Sequence, residues 1–211
     1  MKKILFALAL GLAGTASASF STIGEVTDFG DGSFFLDTGA DFGTSATNAE
    51  IEGALQIPPG ALEFLEEFVV DPFDDGDVLG GSAIFQDIEF GSGDTLSFDW
   101  VWNTNEGAGF SLNADFAAVT ISGPGGAFGF ALANAFDDVS GEAGTFSLMN
   151  DFLPTGIYTL GILVVNVDLF GLFADADSFL DVSNFTKVPA PGTLLLALLG
   201  IFGIGAARRR S

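Results

Sequence analysis

From Ser82 onward the chain alternates apolar and polar residues in short runs separated by Gly, Ser and Asp. Ile84, Ile88 and Phe90 form one run and Leu96, Phe98 and Trp100 the next, with Gly91-Ser92-Gly93-Asp94 between them. A period of two puts successive side chains on opposite faces of a half-buried strand. Phe116 to Ser122, Ala127 to Leu132, Thr145 to Leu148, Ile157 to Asp168 and Ser178 to Phe185 continue the series. Ile157 to Val167 is the most continuous apolar run and is expected to be a central strand. An earlier cluster, Ser33 to Asp37, adds another strand. Ala61, Leu62, Leu65 and Phe68 recur at helical spacing after Pro58-Pro59-Gly60, which predicts one short amphipathic helix. Many short strands with Gly- and Asp-bearing turns predict an all-β domain, an antiparallel β-sandwich or jelly roll carrying that one helix.

The two ends hold continuous apolar runs instead of alternation. Lys2 and Lys3 precede Ile4 to Ala13, and Ala16-Ser17-Ala18 supplies the small residues that a signal peptidase needs. Residues 1–18 are therefore expected to be a secretory signal peptide cut after Ala18. Val188 to Ala207 contains no charge and, at about 1.5 Å per residue, is long enough for the roughly 30 Å hydrocarbon core of a membrane. Pro189 and Pro191 delay the helical part to near Gly192. Arg208, Arg209 and Arg210 follow directly and are expected to form a cytoplasmic stop. This order predicts a signal peptide at 1–18, a domain at 19–186, and a proline motif, transmembrane helix and basic cluster at 187–211. The domain would then lie across the inner membrane from the cytoplasm.

Charge sharpens the division. The six basic residues are Lys2, Lys3, Lys187 and Arg208 to Arg210, while 28 carboxylates lie between Lys3 and Lys187. A domain without cations cannot neutralise phosphates, so nucleic acid is excluded as a partner. There is no Cys and no His. That removes the Ser-His-Asp triad, the cysteine nucleophile, the imidazole or thiolate zinc site and histidine acid–base catalysis. Paired carboxylates are left as the one catalytic device, and nothing selects a pair, so the chain is read as no enzyme. Disorder requires few hydrophobic residues, whereas this chain is 48% hydrophobic and has 24 Phe.

Val188-Pro189-Ala190-Pro191, the Leu- and Gly-rich run from Leu194 to Ala207 and the terminal arginines together resemble a PEP-CTERM sorting signal. Val188 and both prolines match the motif, and Ala190 stands where the family has glutamate. The resemblance implies a Gram-negative host and recognition by an exosortase, a membrane-embedded cysteine transpeptidase-like enzyme. It further implies cleavage near the proline motif, release or re-anchoring at the cell surface, and association with exopolysaccharide and biofilm. Leu96 to Asp115 and Gly156 to Phe185 resemble segments of exported PEP-CTERM proteins with a β-sandwich cargo. Ser178 to Phe185 resembles the closing strand of jelly-roll carbohydrate-binding modules. These likenesses bear on fold more than on activity.

Two ligand classes suit the domain. Calcium takes six to eight oxygen ligands from carboxylates, amides and carbonyls. Asn103, Asn105, Glu106 and Asp115 form one candidate set, Asp168, Asp175 and Asp177 a second, and Asp74, Asp75 and Asp77 a third, none with EF-hand spacing. Sugars take an exposed aromatic platform among amides and carboxylates. Trp102, at a strand end beside Asn103, is the candidate platform, although it shares the inward parity of Leu96 and Phe98. The expected role is structural or adhesive, at the surface or in the extracellular matrix. The alternative is a carbohydrate-binding module with a defined glycan site.

Overall fold

The computed structural model describes residues 19–39, 45–69, 77–105, 115–136, 138, 140–168 and 178–190. The signal segment with Ala16 and Ala18, and the tail from Pro191 through Arg208, Arg209 and Arg210, lie outside them. Among the described residues no helix is long and apolar enough to cross a membrane.

Ten strands and two helices follow in chain order: β1 Ser21–Ile23, β2 Glu25–Asp28, β3 Phe34–Asp37, α1 Asn48–Leu55, α2 Ala61–Val69, β4 Asp77–Phe90, β5 Thr95–Thr104, β6 Phe116–Gly123, β7 Gly126–Asn134, β8 Glu142–Met149, β9 Gly156–Asp168 and β10 Ser178–Val188. The strands form two five-stranded sheets, ordered β1-β4-β9-β6-β7 and β2-β3-β10-β5-β8. Every pairing is antiparallel. The expected all-β sandwich is therefore present, and β9 is the central strand of the first sheet.

The apolar patterns differ between the sheets because their surroundings differ. The first sheet is covered on both faces. Its inner face packs on the second sheet through Val119, Ile121, Leu160, Ile162 and Val164. Its outer face packs on the helices through Phe116, Ala118, Leu163 and Val165, which meet Ile51, Leu55 and Leu62. Strands buried on both sides need no polar face, hence the nearly continuous apolar runs of β6 and β9, whose Thr120, Ser122 and Thr159 are buried as well. Among the described residues nothing covers the outer face of the second sheet, and β5 alternates: Leu96, Phe98 and Trp102 point inward and Ser97, Asp99 and Val101 outward.

The sequence predicts one short helix in the domain, and the described residues form two. α2 follows Pro58-Pro59-Gly60 as expected. α1 is set by a capping box: Glu50 N donates to Thr47 Oγ1 at 3.4 Å and Thr47 N donates to Glu50 Oε2 at 2.9 Å. Ser122 Oγ donates to Leu55 O at 2.6 Å and fastens the end of α1 to β6.

The two lateral sides of the sandwich are unlike. On one, the chain passes from the first sheet into the second between β1 and β2, at Gly24. Gly24 has φ +78° and lies against Gly81 O and Ser82, where a side chain has no room. Ser82 is fully buried and bonds across the gap: Glu25 N donates to its Oγ at 2.7 Å, and Oγ donates to Asp37 O at 2.6 Å. The other side is bounded by the long edge strands β7 and β8.

Candidate functional site

The outer face of the second sheet is bare among the described residues, since both helices pack on the first sheet. Its chemistry starts from a repeated tripeptide, Phe35-Leu36-Asp37 in β3 and Phe179-Leu180-Asp181 in β10. The two strands pair antiparallel in the register Phe179 to Asp37, Leu180 to Leu36 and Asp181 to Phe35. The leucines point into the core, fully buried. The other four side chains share the outer face as a two-by-two checkerboard, phenylalanines on one diagonal and aspartates on the other. Phe35 and Phe179 stack with ring centroids 5.2 Å apart and planes 25° apart.

The aspartates are half-buried, and this sets their acidity. Burial pushes the Asp37 carboxyl above its ordinary value, and Glu25, opposite it on β2, pushes the same way against the Gly39 N–H that it accepts at 2.9 Å. Burial alone raises Asp181. Row by row the face continues into polar residues. Asn103 lies opposite Phe179, and Val101 opposite Asp181. Asp99 accepts from Thr145 Oγ1 at 2.6 Å and from Asn184 Nδ2 at 2.9 Å, which hold its carboxyl below the ordinary value. Asn184 reaches Asp99 because β10 bulges between Ser183 and Thr186, with Asn184 at φ +54°, a conformation that Asn tolerates. Ser97 and Thr186 share a hydrogen bond at 2.8 Å.

Of the metal-ligand candidates singled out from sequence, the described ones fall in two places: Asn103 and Asn105 at the end of β5, and Asp77, Asp115 and Asp168 at one end of the first sheet. Asn103 is on this face and Asn105 is exposed just beyond β5, while Glu106 lies outside the described residues. Asp115 does not join them. It is 1% exposed, precedes β6 in the other sheet, and accepts from Val167 N at 3.2 Å. That carboxylate holds the end of β9. Asp168 is described only as the backbone residue opposite Asp77, and Asp74, Asp75, Asp175 and Asp177 lie outside the described residues. Among the described residues no three Asp or Glu converge as a metal site. Trp102 needs a correction as a glycan platform: it is fully buried in the inter-sheet core, as its parity with Leu96 and Phe98 dictates, and shows no ring face to solvent. The aromatic pair on the outer face, Phe35 and Phe179, is not among the candidates read from sequence, although the same Phe-Leu-Asp at both ends of the domain is a signal for it.

The root of the proline motif is structured. Val188 ends β10 and is exposed, as is Pro189. Ala190 N donates to Asp94 Oδ1 at 2.9 Å, and Lys187 Nζ lies 3.4 Å from Asp94 Oδ2. Burial would raise the Asp94 carboxyl, but the Gly91 and Ala190 amides and the Lys187 ammonium outweigh it and hold the group below its ordinary value.

No family model and no curated protein matches the chain. Among solved structures, TmCBM61 in complex with beta-1,4-galactotriose is similar at 15% identity and TM-score 0.32, over 50% of this chain. The chain spans 61% of that protein's length.

Proposed function

We propose that this is an exported, non-enzymatic surface or matrix protein that associates with polysaccharide through the outer face of its second sheet. The observation that carries the reading is the Phe35, Asp37, Phe179 and Asp181 checkerboard on a bare sheet face. Paired rings offer an apolar platform to sugar C–H groups, and carboxylates and amides beside them suit hydroxyls. The signal-like N-terminus and PEP-CTERM-like tail support export, with signal peptidase and exosortase as processing partners and the inner membrane as a transient anchor. We read the sandwich as jelly-roll-like. On an acidic polysaccharide, calcium would join carboxylates of the two polyanions, since the domain has no cation of its own to do so beyond Lys187.

Co-sedimentation with alginate tests this. The chain is expected to bind in millimolar calcium and to be released by chelator, with its melting temperature raised by calcium. D37N/D181N should lose the binding and keep the fold. The second reading, a module with a defined glycan site, rests on the aromatic pair and predicts a saturable isotherm for one neutral glycan, indifferent to chelator and weakened by F179A. If neither alginate nor a panel of neutral glycans binds, both readings fall.

A further inference from the structure

We infer that the open lateral side of the sandwich is covered by a second copy of this chain, its β7 edge pairing antiparallel with the β7 edge of the partner copy. The inference starts from the asymmetry of the two sides. Gly24 and Ser82 close one side, where the edge strands β1 and β2 are only 3 and 4 residues long. The other side ends in β7 and β8, of 9 and 8 residues. Their inward side chains are left half-covered along the seam: Phe128, Phe130 and Leu132 from β7, and Phe146 and Leu148 from β8. Phe130 and Phe146 meet edge-on at 5.8 Å, so the two edges lie one above the other.

Long exposed edge strands normally carry a charge or a proline that blocks pairing. β7 carries neither, and from Phe116 to Phe136 there is no Asp, Glu, Lys or Arg. The same holds from Ala143 to Asn150. In a chain with 28 carboxylates and a net charge of −22, β7 and all of β8 but its first residue, Glu142, are free of charge, and these two strands bound the long side left open among the described residues. Two such polyanions repel over most of their surfaces, and they can approach closely only where neither presents a charge. This selects a second copy as the occupant. β7 has one device that limits pairing, a bulge that leaves Leu132 without a partner in the register with β6. The regular edge is therefore Gly126 to Ala131. On the helix side, Ala127 and Gly129 line a groove of about 600 Å³ with Pro58, Pro59 and Phe64, which continues the uncharged surface outward from that edge. Pairing two β7 edges would extend the first sheet through both copies and cover both seams.

Hydrogen exchange of the full chain, measured over a series of protein concentrations, tests the inference. The amides of Ala127 to Ala131 are expected to slow by roughly tenfold or more as concentration rises, because pairing protects the outward N–H groups. A127D/A131D, which places like charges on the edge at two exposed positions, should abolish that dependence, and T27D on the opposite side should not. Protection equal at every concentration would mean that a segment of the same chain covers the edge. No protection at any concentration would mean that the edge stays open. Protection surviving in A127D/A131D would place the contact elsewhere. Each of these three results overturns the inference.

Discussion

Phe35 and Phe179 stack at 5.2 Å because each opens the same tripeptide and the two tripeptides run antiparallel in register. One local two-fold relationship thus produces the aromatic pair, the facing aspartates and the buried leucines at once. The rings should be energetically coupled. In a double-mutant cycle with F35A and F179A, measured by urea unfolding, a coupling of about 0.5–1.5 kcal/mol is expected for the stacked pair. A coupling indistinguishable from zero would mean that the rings are merely adjacent.

Carboxylates on this face and at the root of the tail set a pH dependence. Asp37 and Asp181 have folded values above the ordinary 3.8, so their ionisation disfavours the fold, and stability rises as pH falls from neutral through those values. Asp94 and Asp99 have folded values below 3.8, so their contribution is present above 3.8 and is lost as pH falls through the folded values. The gain from Asp37 and Asp181 is completed, and the loss from Asp94 and Asp99 begins, near the ordinary 3.8, so the melting temperature should be higher in mild acid approaching that value than at neutrality. D37N/D181N should flatten the neutral arm and leave the acid arm in place. Relief of general self-repulsion also favours mild acid. Only the part of the neutral arm that this double variant removes belongs to Asp37 and Asp181.

Asp94 ties the β4–β5 turn to the root of the tail: it accepts from Gly91 N in its own turn and from Ala190 N, and pairs with Lys187 Nζ. Asp94→Asn keeps the shape and removes the charge. It is expected to cost about 1.5–3 kcal/mol, as for hydrogen bonds to a charged group. Limited proteolysis after Lys187 should become faster in the variant, because the strand end loses its clamp. Unchanged cleavage alongside unchanged stability would show that β10 holds the root without Asp94.

Ser82 is the buried link between the sheets on the closed side. Ser82→Ala leaves Glu25 N and Asp37 O without their partner, and about 1–3 kcal/mol is expected for such a loss. The exposed helix cap Thr47→Ala should cost about 1 kcal/mol. Chemical denaturation of both variants checks the order, and a smaller cost at Ser82 than at Thr47 would contradict the bonding described for it.

Much of the sandwich was legible because its strands carry one of two plain patterns. The most continuous apolar run marks β9, and alternation marks β5 and β6, although parity with Leu96 and Phe98 alone does not keep Trp102 from being taken as a glycan platform. β1 and β2 were not, since Ser21 to Asp28 is mostly polar and exposed and is held by partners far away in sequence. α1 was also overlooked. Its face is weakly apolar, and its clearest mark is the Thr47 to Glu50 box rather than periodicity. The candidate site fared worse for a physical reason. Parity places a side chain on a face, but which residues become neighbours there depends on register, and register between β3 and β10 is a long-range property. Asp115 misled similarly: a carboxylate beside a loop looks available until its backbone partner, Val167 N, is known.

The position of β10 has a consequence for how the chain can be made and moved. It is the last of the described strands to be synthesised, and it lies between β3 and β5, in the middle of the second sheet. A chain threaded N-terminus first delivers the β2–β3 hairpin at the outset and the β5–β8 pair midway, but the two halves have no edge to meet on. They remain two stubs until Leu180 and Val182 arrive between them. Completion of the sheet thus reports that the thread has emerged as far as the residues bordering the proline motif. The architecture measures its own length, and a product cut short anywhere before Ser178 leaves the second sheet in two pieces.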